Sequence, residues 1–249
     1  MQVFKIPNSM KKNFKYTFCP GCDHGVAIRL AAELIDELEL KDDTVCITSI
    51  GCSVFLYDFL DVDCLEAPHG RAMAEATGVK RARPDKFVFT YQGDGDFASI
   101  GLAESTHAAL RGENLSGICI NNTTYGMTGG QLGPTTIMGQ KTTTSPMGRF
   151  KDTYGYPIKI AEHIALCEGT AYSARVALDS VLHINQAKKA LKKAFQVQLD
   201  GLGYGFVEIL STCPVNWKMT PNEAHERVRR ELLPVFPLGV YKDITESRK

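Results

Sequence analysis

The sequence KFVFTYQGDGDFASIG spans residues 86–101 and joins a strand-like run, a glycine-rich turn and the start of a helical pattern. The run 86–92 is rich in β-branched and aromatic residues, as buried strands are. Gly93 ends it, and apolar residues then recur at helical spacing over 97–110. A strand that passes through a tight turn into a helix is the repeating unit of α/β folds.

The same alternation extends on both sides of this stretch. We predict strands over residues 44–50, 86–92, 116–122, 170–178 and 203–210, and helices over 23–40, 69–83, 97–110, 158–169, 180–198 and 221–236. Strands that alternate with helices favour an α/β fold, with a doubly wound, mostly parallel sheet covered on both faces. Residues 123–157 break the pattern with glycines, prolines and threonines, which indicates a long functional loop.

The composition is that of an ordinary globular protein. The chain has 249 residues, 44% of them hydrophobic, and its 28 Lys and Arg balance 28 Asp and Glu. These values exclude wholesale disorder and give no electrostatic footprint of a nucleic-acid binder. We find no apolar run of membrane-spanning length and no signal peptide, so we expect no membrane partner and a cytoplasmic location. We expect one domain over 1–249, with 1–15 and 238–249 as peripheral extensions.

A second motif pairs with the Gly-Asp-Gly-Asp turn. Asn121 and Asn122 lie at the end of the next predicted strand. Glycines at a strand end let backbone amides approach a diphosphate, and the following helix stabilises its charge. The Asp94 carboxylate, the Asn122 carboxamide and a backbone carbonyl near Thr124 are hard oxygen ligands that suit Mg²⁺. Each half alone is also an ordinary turn, but the pair predicts a thiamine diphosphate site.

Four of the eight cysteines form a candidate metal-binding set. They are Cys19 and Cys22 in CPGC, Cys52 in SIGCS and Cys213 in STCPVNW. CxxC is compatible with zinc, a redox pair or an iron–sulfur cluster, and four thiolates suit both Zn²⁺ and a cubane. Cys52 and Cys213 lie at strand ends, on the edge of the sheet that carries the diphosphate motif. This position favours a role in electron transfer over a purely structural role. The others are interpreted as core or loop cysteines: Cys46 and Cys119 in strand-like runs, Cys64 in a loop-like stretch and Cys167 at the end of a helical pattern.

Six motifs in order resemble the β subunit of the 2-oxoacid:ferredoxin oxidoreductases. They are CPGCDHG, SIGCSVF, APHGRAMAEATGVKRARPD, YQGDGDFASIG, NNTTYGMTGGQ and TCPVNW, collinear over residues 16–220. The resemblance implies a thiamine diphosphate-binding fold that also holds one 4Fe-4S cluster. The implied cluster ligands are Cys19, Cys22, Cys52 and Cys213. The implied Mg²⁺ ligands are Asp94, Asn122 and the Thr124 carbonyl.

The resemblance also implies the residues around the cofactor. The pocket would be lined by Ile50, Gly51, Cys52 and Ser53. The diphosphate would lie beside Gly93, Gly95 and Asp96, and the diphosphate and substrate would be reached by His69, Gly70 and Arg71. The reacting centre would lie near Tyr125, Gly126, Met127 and Thr128.

The implied function is that of an enzyme subunit that needs a partner subunit for activity. It would decarboxylate a 2-oxoacid oxidatively to acyl-CoA and CO₂, with coenzyme A as acyl acceptor and electrons passed through the cluster to ferredoxin. The Glu that activates the cofactor is expected from a partner α subunit, in a complex with γ and δ subunits. Within this chain, Glu75 and Glu104 are interpreted as helix-surface residues.

The substrate and the reaction type leave alternatives. Val54, Phe55 and Met127 are apolar candidates for the pocket, which favours a branched-chain 2-oxoacid such as 3-methyl-2-oxobutanoate over 2-oxoglutarate or pyruvate. A non-oxidative thiamine diphosphate decarboxylase or carboligase with structural zinc is a second hypothesis. An electron-transfer or assembly subunit that no longer binds the cofactor is a third.

Overall fold

The secondary structure is described by a computed structural model for residues 5–246. The strands are β1 Thr44–Ser49, β2 Asp63–Ala67, β3 Phe87–Gly93, β4 Ser116–Asn121, β5 Thr124–Tyr125, β6 Gln131–Leu132, β7 Thr170–Ala177, β8 Tyr204–Leu210 and β9 Gly239–Asp243. The α-helices are α1 His24–Glu37, α2 Ala72–Ala82, α3 Leu102–Leu110, α4 Lys151–Tyr154, α5 Ile160–Ala165, α6 Val181–Leu199, α7 Pro214–Trp217, α8 Pro221–Arg227 and α9 Leu233–Val235. Turns of 3₁₀-helix cover Lys41–Asp43 and Cys52–Asp58, and π-helical turns cover Asp96–Ile100 and Val228–Leu232.

The main sheet has seven strands in the order β2-β1-β3-β4-β8-β7-β9. All neighbours are parallel except β7 and β9. Residues of α1 and α6 bury their apolar faces against one side of the sheet, and residues of α2, α3 and α5 against the other. The doubly wound, mostly parallel α/β prediction is therefore confirmed. No helix within residues 5–246 has the length and apolar content needed to cross a lipid bilayer.

The strand order places a topological switch point between β1 and β3. The chain leaves β1 toward β2 on one side, whereas it leaves β3 toward β4 on the other. In open parallel sheets, diverging connections leave a crevice outside the carboxyl ends of such strands, where ligands bind. The segments after β1, β3 and β4 therefore face one crevice.

Two edge strands were missed by the sequence analysis. Strand β2 contains Cys64, so the interpretation of that stretch as a loop is wrong. Its residues are mostly exposed because it lies at the edge of the sheet, and the apolar run of a buried strand is absent. Strand β9 lies within the expected extension 238–249 and pairs antiparallel with β7.

Two predicted helices are interrupted. The helix over 97–110 starts with a π-helical turn that ends before Gly101, and the helix over 221–236 breaks at a second one. A π-helical turn inserts a residue into the helical repeat, which apolar spacing alone does not reveal. Of the expected extensions, residues 1–4 and 247–249 lie outside the described residues.

Candidate functional site

A cleft with about 510 Å³ of open space lies at the switch point. Its lining comes from the segments after β1, β2, β3 and β4, from the first residue of α1 and from the long loop: His24, Ile50, Gly51, Cys52, Ser53, His69, Gly93, Asp94, Gly95, Asp96, Asn122, Thr124, Tyr125, Gly126, Met127 and Thr128. The structure thus brings together all the predicted cofactor residues except Gly70 and Arg71. The Gly70 amide donates to Asp96 from beside the cleft, and Arg71 pairs with Glu104.

Asp94 is a buried carboxylate at the wall of the cleft. Burial raises its pKa to about 7, although the Thr135 hydroxyl and the Gly95 amide donate hydrogen bonds to it. No basic side chain of the described residues offsets its charge. A buried carboxylate without a cationic partner is costly when ionised, so the chemistry of this position fits a bound cation.

Two further residues whose oxygen atoms can bind a metal ion follow β4 and line the same cleft as Asp94. Asn122 and Thr124 are both buried, and the Asn122 side-chain oxygen accepts from the Thr124 amide at 3.2 Å. Between them, Thr123 has φ 62°, a left-handed conformation that a β-branched residue rarely adopts. Its carbonyl is held by the Thr136 hydroxyl at 2.6 Å and by Gln140 at 3.2 Å, and its own buried hydroxyl has no hydrogen-bond partner. Such local strain is typical of ligand-binding loops.

Two glycines of the cleft leave space that no protein atom fills. A Cβ atom at Gly51 or Gly93 would meet no heavy atom within 4 Å. Gly51 has φ 113°, so its backbone favours glycine, whereas Gly93 lies in an ordinary extended strand. Neither packing nor backbone geometry therefore requires glycine at 93, which points to close approach by a ligand.

Asp96 connects the segments that form the cleft. Its carboxylate accepts hydrogen bonds from the Ser49 hydroxyl at 2.7 Å, the Gly70 amide at 2.6 Å and the Gln92 amide group at 2.5 Å. It also contacts the imidazole of His69, whose ring packs edge-on against Tyr125. Because its oxygens are engaged by protein groups, Asp96 fixes the shape of the cleft and orients His69.

The four predicted cysteine ligands lie in three segments that approach each other. A Cβ atom at Gly126 would lie 3.5 Å from the Cys52 sulfur and 3.6 Å from the Cys213 sulfur, so these two thiols flank the same glycine. Burial is the largest cause that raises the pKa of Cys22 to about 12 and that of Cys52 to about 11, and the neighbouring thiols of the set contribute to both values. Burial also raises the pKa of Cys213, to which Cys19 adds. Electron-rich thiolates held this close are stable when bound to a metal centre.

The cysteines do not form a compact mononuclear metal site. Within residues 5–246 no three His, Cys, Asp or Glu side chains are grouped to hold a single metal ion. A Zn²⁺ ion with Zn–S bonds of about 2.3 Å would need thiolates only about 3.8 Å apart. A cubane instead takes its four thiolates at the corners of a larger tetrahedron around four irons.

Hydrogen bonds fasten the cysteine segments to one another. The buried Asp23 carboxylate accepts from the Thr212 amide at 2.9 Å, and the Thr212 hydroxyl donates to the Gly21 carbonyl at 2.6 Å. The Asn216 amide group donates to the Cys213 sulfur at 3.1 Å and to the Gly126 carbonyl at 2.9 Å. The cysteine set and the cleft are thus parts of one hydrogen-bonded structure.

His24 is a lining residue that the sequence analysis missed. It is 2% exposed, its ring stacks on Phe18 with centroids 4.9 Å apart, and its Nδ1 lies 2.8 Å from the Tyr91 hydroxyl. Burial lowers its pKa to about 4, so the imidazole is neutral at pH 7. The signal was present, since His24 belongs to the CPGCDHG motif.

Comparisons with known proteins agree with this geometry. Residues 49–209 match the family model described as "Thiamine pyrophosphate enzyme, C-terminal TPP binding domain". Ketoisovalerate oxidoreductase subunit VorA of Methanothermobacter thermautotrophicus is 42% identical over 226 residues, covering 91% of this chain and 47% of that protein. 2-Oxoglutarate synthase subunit KorB of Methanocaldococcus jannaschii is 40% identical over 200 residues, covering 80% and 70%. The structure of 2-oxoglutarate:ferredoxin oxidoreductase from Magnetococcus marinus with 2-oxoglutarate, coenzyme A and succinyl-CoA bound aligns with a TM-score of 0.73 and 27% identity, covering 96% of this chain and 85% of that chain.

The fold is that of a thiamine diphosphate-binding domain. The chain spans about half the length of the first curated relatives it matches, 47% and 52% of them. It belongs to the thiamine pyrophosphate enzyme family and, within it, to the β subunits of the 2-oxoacid:ferredoxin oxidoreductases. The resemblance noted from the sequence is confirmed.

Proposed function

We propose that this chain is the cofactor-binding subunit of an enzyme that oxidatively decarboxylates a 2-oxoacid to acyl-CoA and CO₂. Mg²⁺ is held by Asp94, Asn122 and the Thr124 carbonyl, with thiamine diphosphate in the cleft. The observation that carries the proposal is the uncompensated, buried Asp94 beside the unfilled space at Gly93. When bound, thiamine diphosphate supplies the electron sink that decarboxylation of a 2-oxoacid needs.

The residues of the chain bind and orient in this proposal. The Gly93 backbone leaves space for the diphosphate, and the Asp94 carboxylate coordinates the metal ion. Asp96 orients the His69 ring at the wall of the cleft, and the neutral His24 closes its floor without adding charge. Met127, 43% exposed, offers apolar surface at the mouth of the cleft.

A 4Fe-4S cluster on Cys19, Cys22, Cys52 and Cys213 completes the proposed site. The support is the position of the Cys52 and Cys213 sulfurs beside Gly126, which itself lines the cleft. A cluster held by these cysteines would supply one-electron transfer and would pass electrons to ferredoxin. We also propose a cytoplasmic location, supported by eight free thiols in a chain of this size.

An α subunit is the proposed partner, with γ and δ subunits in the same complex. Asp94 and Asp96 are the acidic residues among the described lining of the cleft, and no Glu lies there. We therefore propose that the activating Glu comes from the α subunit. Coenzyme A and ferredoxin are proposed as the acyl and electron acceptors of the complex.

We propose a branched-chain 2-oxoacid, such as 3-methyl-2-oxobutanoate, as the substrate. Neither Lys nor Arg is found among the described lining residues, and the second carboxylate of 2-oxoglutarate would need such a partner. The expectation that Val54 and Phe55 face the pocket is wrong. Val54 is buried and Phe55 packs on Phe18, so Met127 remains as the apolar lining residue of the three.

Metal and cofactor analysis of the anaerobically purified complex tests the proposal. We expect iron, labile sulfide, Mg²⁺ and thiamine diphosphate in the wild type, and loss of iron and sulfide in Cys213→Ser. The control Cys167→Ser changes a buried cysteine of the α5 region and keeps full iron content. Zinc without sulfide would instead support a non-oxidative decarboxylase, and a cluster without thiamine diphosphate would support an electron-transfer subunit.

Turnover of the same complex tests the substrate. We expect the highest kcat/KM with 3-methyl-2-oxobutanoate, and lower values with 2-oxoglutarate and pyruvate. Preference for 2-oxoglutarate would contradict the substrate proposal and would point to a cation contributed by the partner subunit.

A further inference from the structure

Two cysteines that the proposed function does not use face each other across the edge of the sheet. Cys46 in β1 and Cys64 in β2 are direct register partners in a parallel pair. Paired residues on adjacent strands lie about 4.8 Å apart, within the range of roughly 4.4–6.8 Å between the Cα atoms of a disulfide. Both side chains pack into the same apolar cluster, so the two thiols lie on the same face of the sheet.

The environments of the two thiols differ. Cys46 is fully buried, and burial raises the pKa of its thiol well above the usual range. Cys64 is half-buried, and its pKa is lowered, first by a hydrogen bond with the Cys46 thiol and then by the charge of Lys11. The Lys11 amine is held in place by the Tyr57 carbonyl at 2.7 Å. One thiol is therefore disposed to ionise, and its neighbour keeps its proton.

Cys64 is also the accessible member of the pair. It lines a shallow surface groove with Lys11, Tyr57, Val62, Leu65 and Glu66. A small oxidant in this groove can meet Cys64, whereas Cys46 is fully buried. Strand β2 lies at the edge of the sheet with one neighbouring strand, which leaves it free to make the small shift that a bridge requires.

We propose that Cys64 and Cys46 form a peroxide-reactive dithiol, with Cys64 as the attacking residue and Cys46 as the resolving one. The Cys64 thiolate attacks a hydroperoxide, the O–O bond breaks, and an alcohol leaves after protonation, with Cys64 oxidised to a sulfenic acid. The Cys46 sulfur then attacks the Cys64 sulfur, the S–O bond breaks, and water leaves with the Cys46 proton. Two thiols lose two electrons and one hydroperoxide is reduced.

The consequence lies close to the cofactor cleft. Strand β1 runs from Cys46 to Ser49 and continues directly into Ile50 and Gly51, which line the cleft. A bridge to β2 fixes this strand against its neighbour. The inference does not depend on the proposed function, because the pair is defined by register and burial in this chain.

Peptide mapping of the intact, anaerobically purified complex tests the inference. The complex is treated with a small stoichiometric excess of tert-butyl hydroperoxide, its remaining thiols are alkylated, and the digest is analysed without reduction. We expect a peptide that links Cys46 to Cys64 and is lost on treatment with dithiothreitol. Iron and thiamine diphosphate are measured on the same sample, so damage to the proposed cluster is read separately.

Variants assign the two roles. In Cys46→Ser the reaction should stop at a sulfenic acid on Cys64, which dimedone traps, and in Cys64→Ser Cys46 should stay unmodified. Cys119→Ser, at a fully buried cysteine of β4, should give the wild-type linkage. Both thiols remaining alkylatable in the oxidised wild type would overturn the proposal, and so would linkage of Cys64 to any other cysteine. The wild-type map needs no substitution, so it decides the matter even if a variant fails to fold.

Discussion

Replacing Gly93 by Ala tests whether the empty space in the cleft is reserved for a ligand. The added Cβ meets no heavy atom of the protein within 4 Å, and the residue ends an extended strand. The substitution should therefore leave folding intact and stabilise the free chain by about 0.4–1 kcal/mol, because alanine loses less freedom on folding. The new methyl group instead projects into the space proposed for the diphosphate.

The expected loss of affinity follows from overpacking. A methyl group forced into an occupied site costs about 1–3 kcal/mol, which is about 5- to 140-fold in Kd. At about 100 times the wild-type Kd, thiamine diphosphate with Mg²⁺ stabilises the wild type by about 2.7 kcal/mol. With a roughly 30-fold weaker Kd, the variant gains only about 0.9 kcal/mol under the same conditions.

Gly78→Ala is the matched control. Gly78 lies in α2 outside the cleft lining, and its Cβ also meets nothing within 4 Å. Both variants should unfold at or above the wild-type temperature without ligand, but only Gly93→Ala should lose most of the thiamine diphosphate-induced shift in melting temperature. Calorimetric titration on the complex gives Kd directly. Equal Kd values for Gly93→Ala and the wild type, or equal weakening in Gly78→Ala, would refute the reasoning.

Three further changes have defined outcomes. Without Mg²⁺ or cofactor, the pKa of Asp94 is about 7 in the folded chain, against 3.8 for an ordinary Asp, so the folded state favours the protonated carboxyl. Its contribution to stability is complete below about pH 3.8 and is lost as the pH rises through 7. In thermal melts, the free energy of unfolding of Asp94→Asn should equal that of the wild type at pH 4 and exceed it by about 4 kcal/mol at pH 8. A difference in free energy of unfolding that does not depend on pH would contradict this. Arg175→Met leaves Glu208, 2.9 Å from the lost guanidinium, as an unpaired buried charge, so urea unfolding should show a loss of about 3–5 kcal/mol, part of which Glu208→Gln restores in the double variant. Gly95→Ala places a Cβ in steric overlap with the Tyr125 ring, so the melting temperature of the variant should fall by about 2–12 °C, and an unchanged value would show that the ring moves freely.

The fold and most of the cleft could be predicted because both depend on local patterns. Buried strands such as β3 and β4 appear as continuous apolar runs, and the polar motifs follow directly at their ends. Parallel pairing of β1, β3 and β4 then places those motifs at one edge. This is why Asp94 and Asn122, well separated in the sequence, line the same cleft.

The features that were missed depend on contacts between distant segments. Strand β2 has mostly exposed residues, so only its pairing with β1 identifies it. Arg71 was expected to reach the diphosphate because it follows Gly70 in a motif, but it forms an ion pair with Glu104 on α3. The spacing of residues in the sequence does not reveal this pairing. His24 lines the cleft because Phe18 and Tyr91 fix its ring, and both contacts come from outside its own helix.

The backbone conformation and the unpaired hydroxyl of Thr123 lower the thermal stability of the protein. A β-branched residue at positive φ costs about 1–3 kcal/mol, and its buried, unpartnered hydroxyl costs about 1–3 kcal/mol more. Glycine would relieve both at once, since it adopts this conformation freely and has no side chain to satisfy. A laboratory screen for thermostable variants would therefore select glycine at position 123, and these variants should bind the proposed Mg²⁺ more weakly, because the backbone that positions the Asn122 and Thr124 oxygens would no longer be rigid.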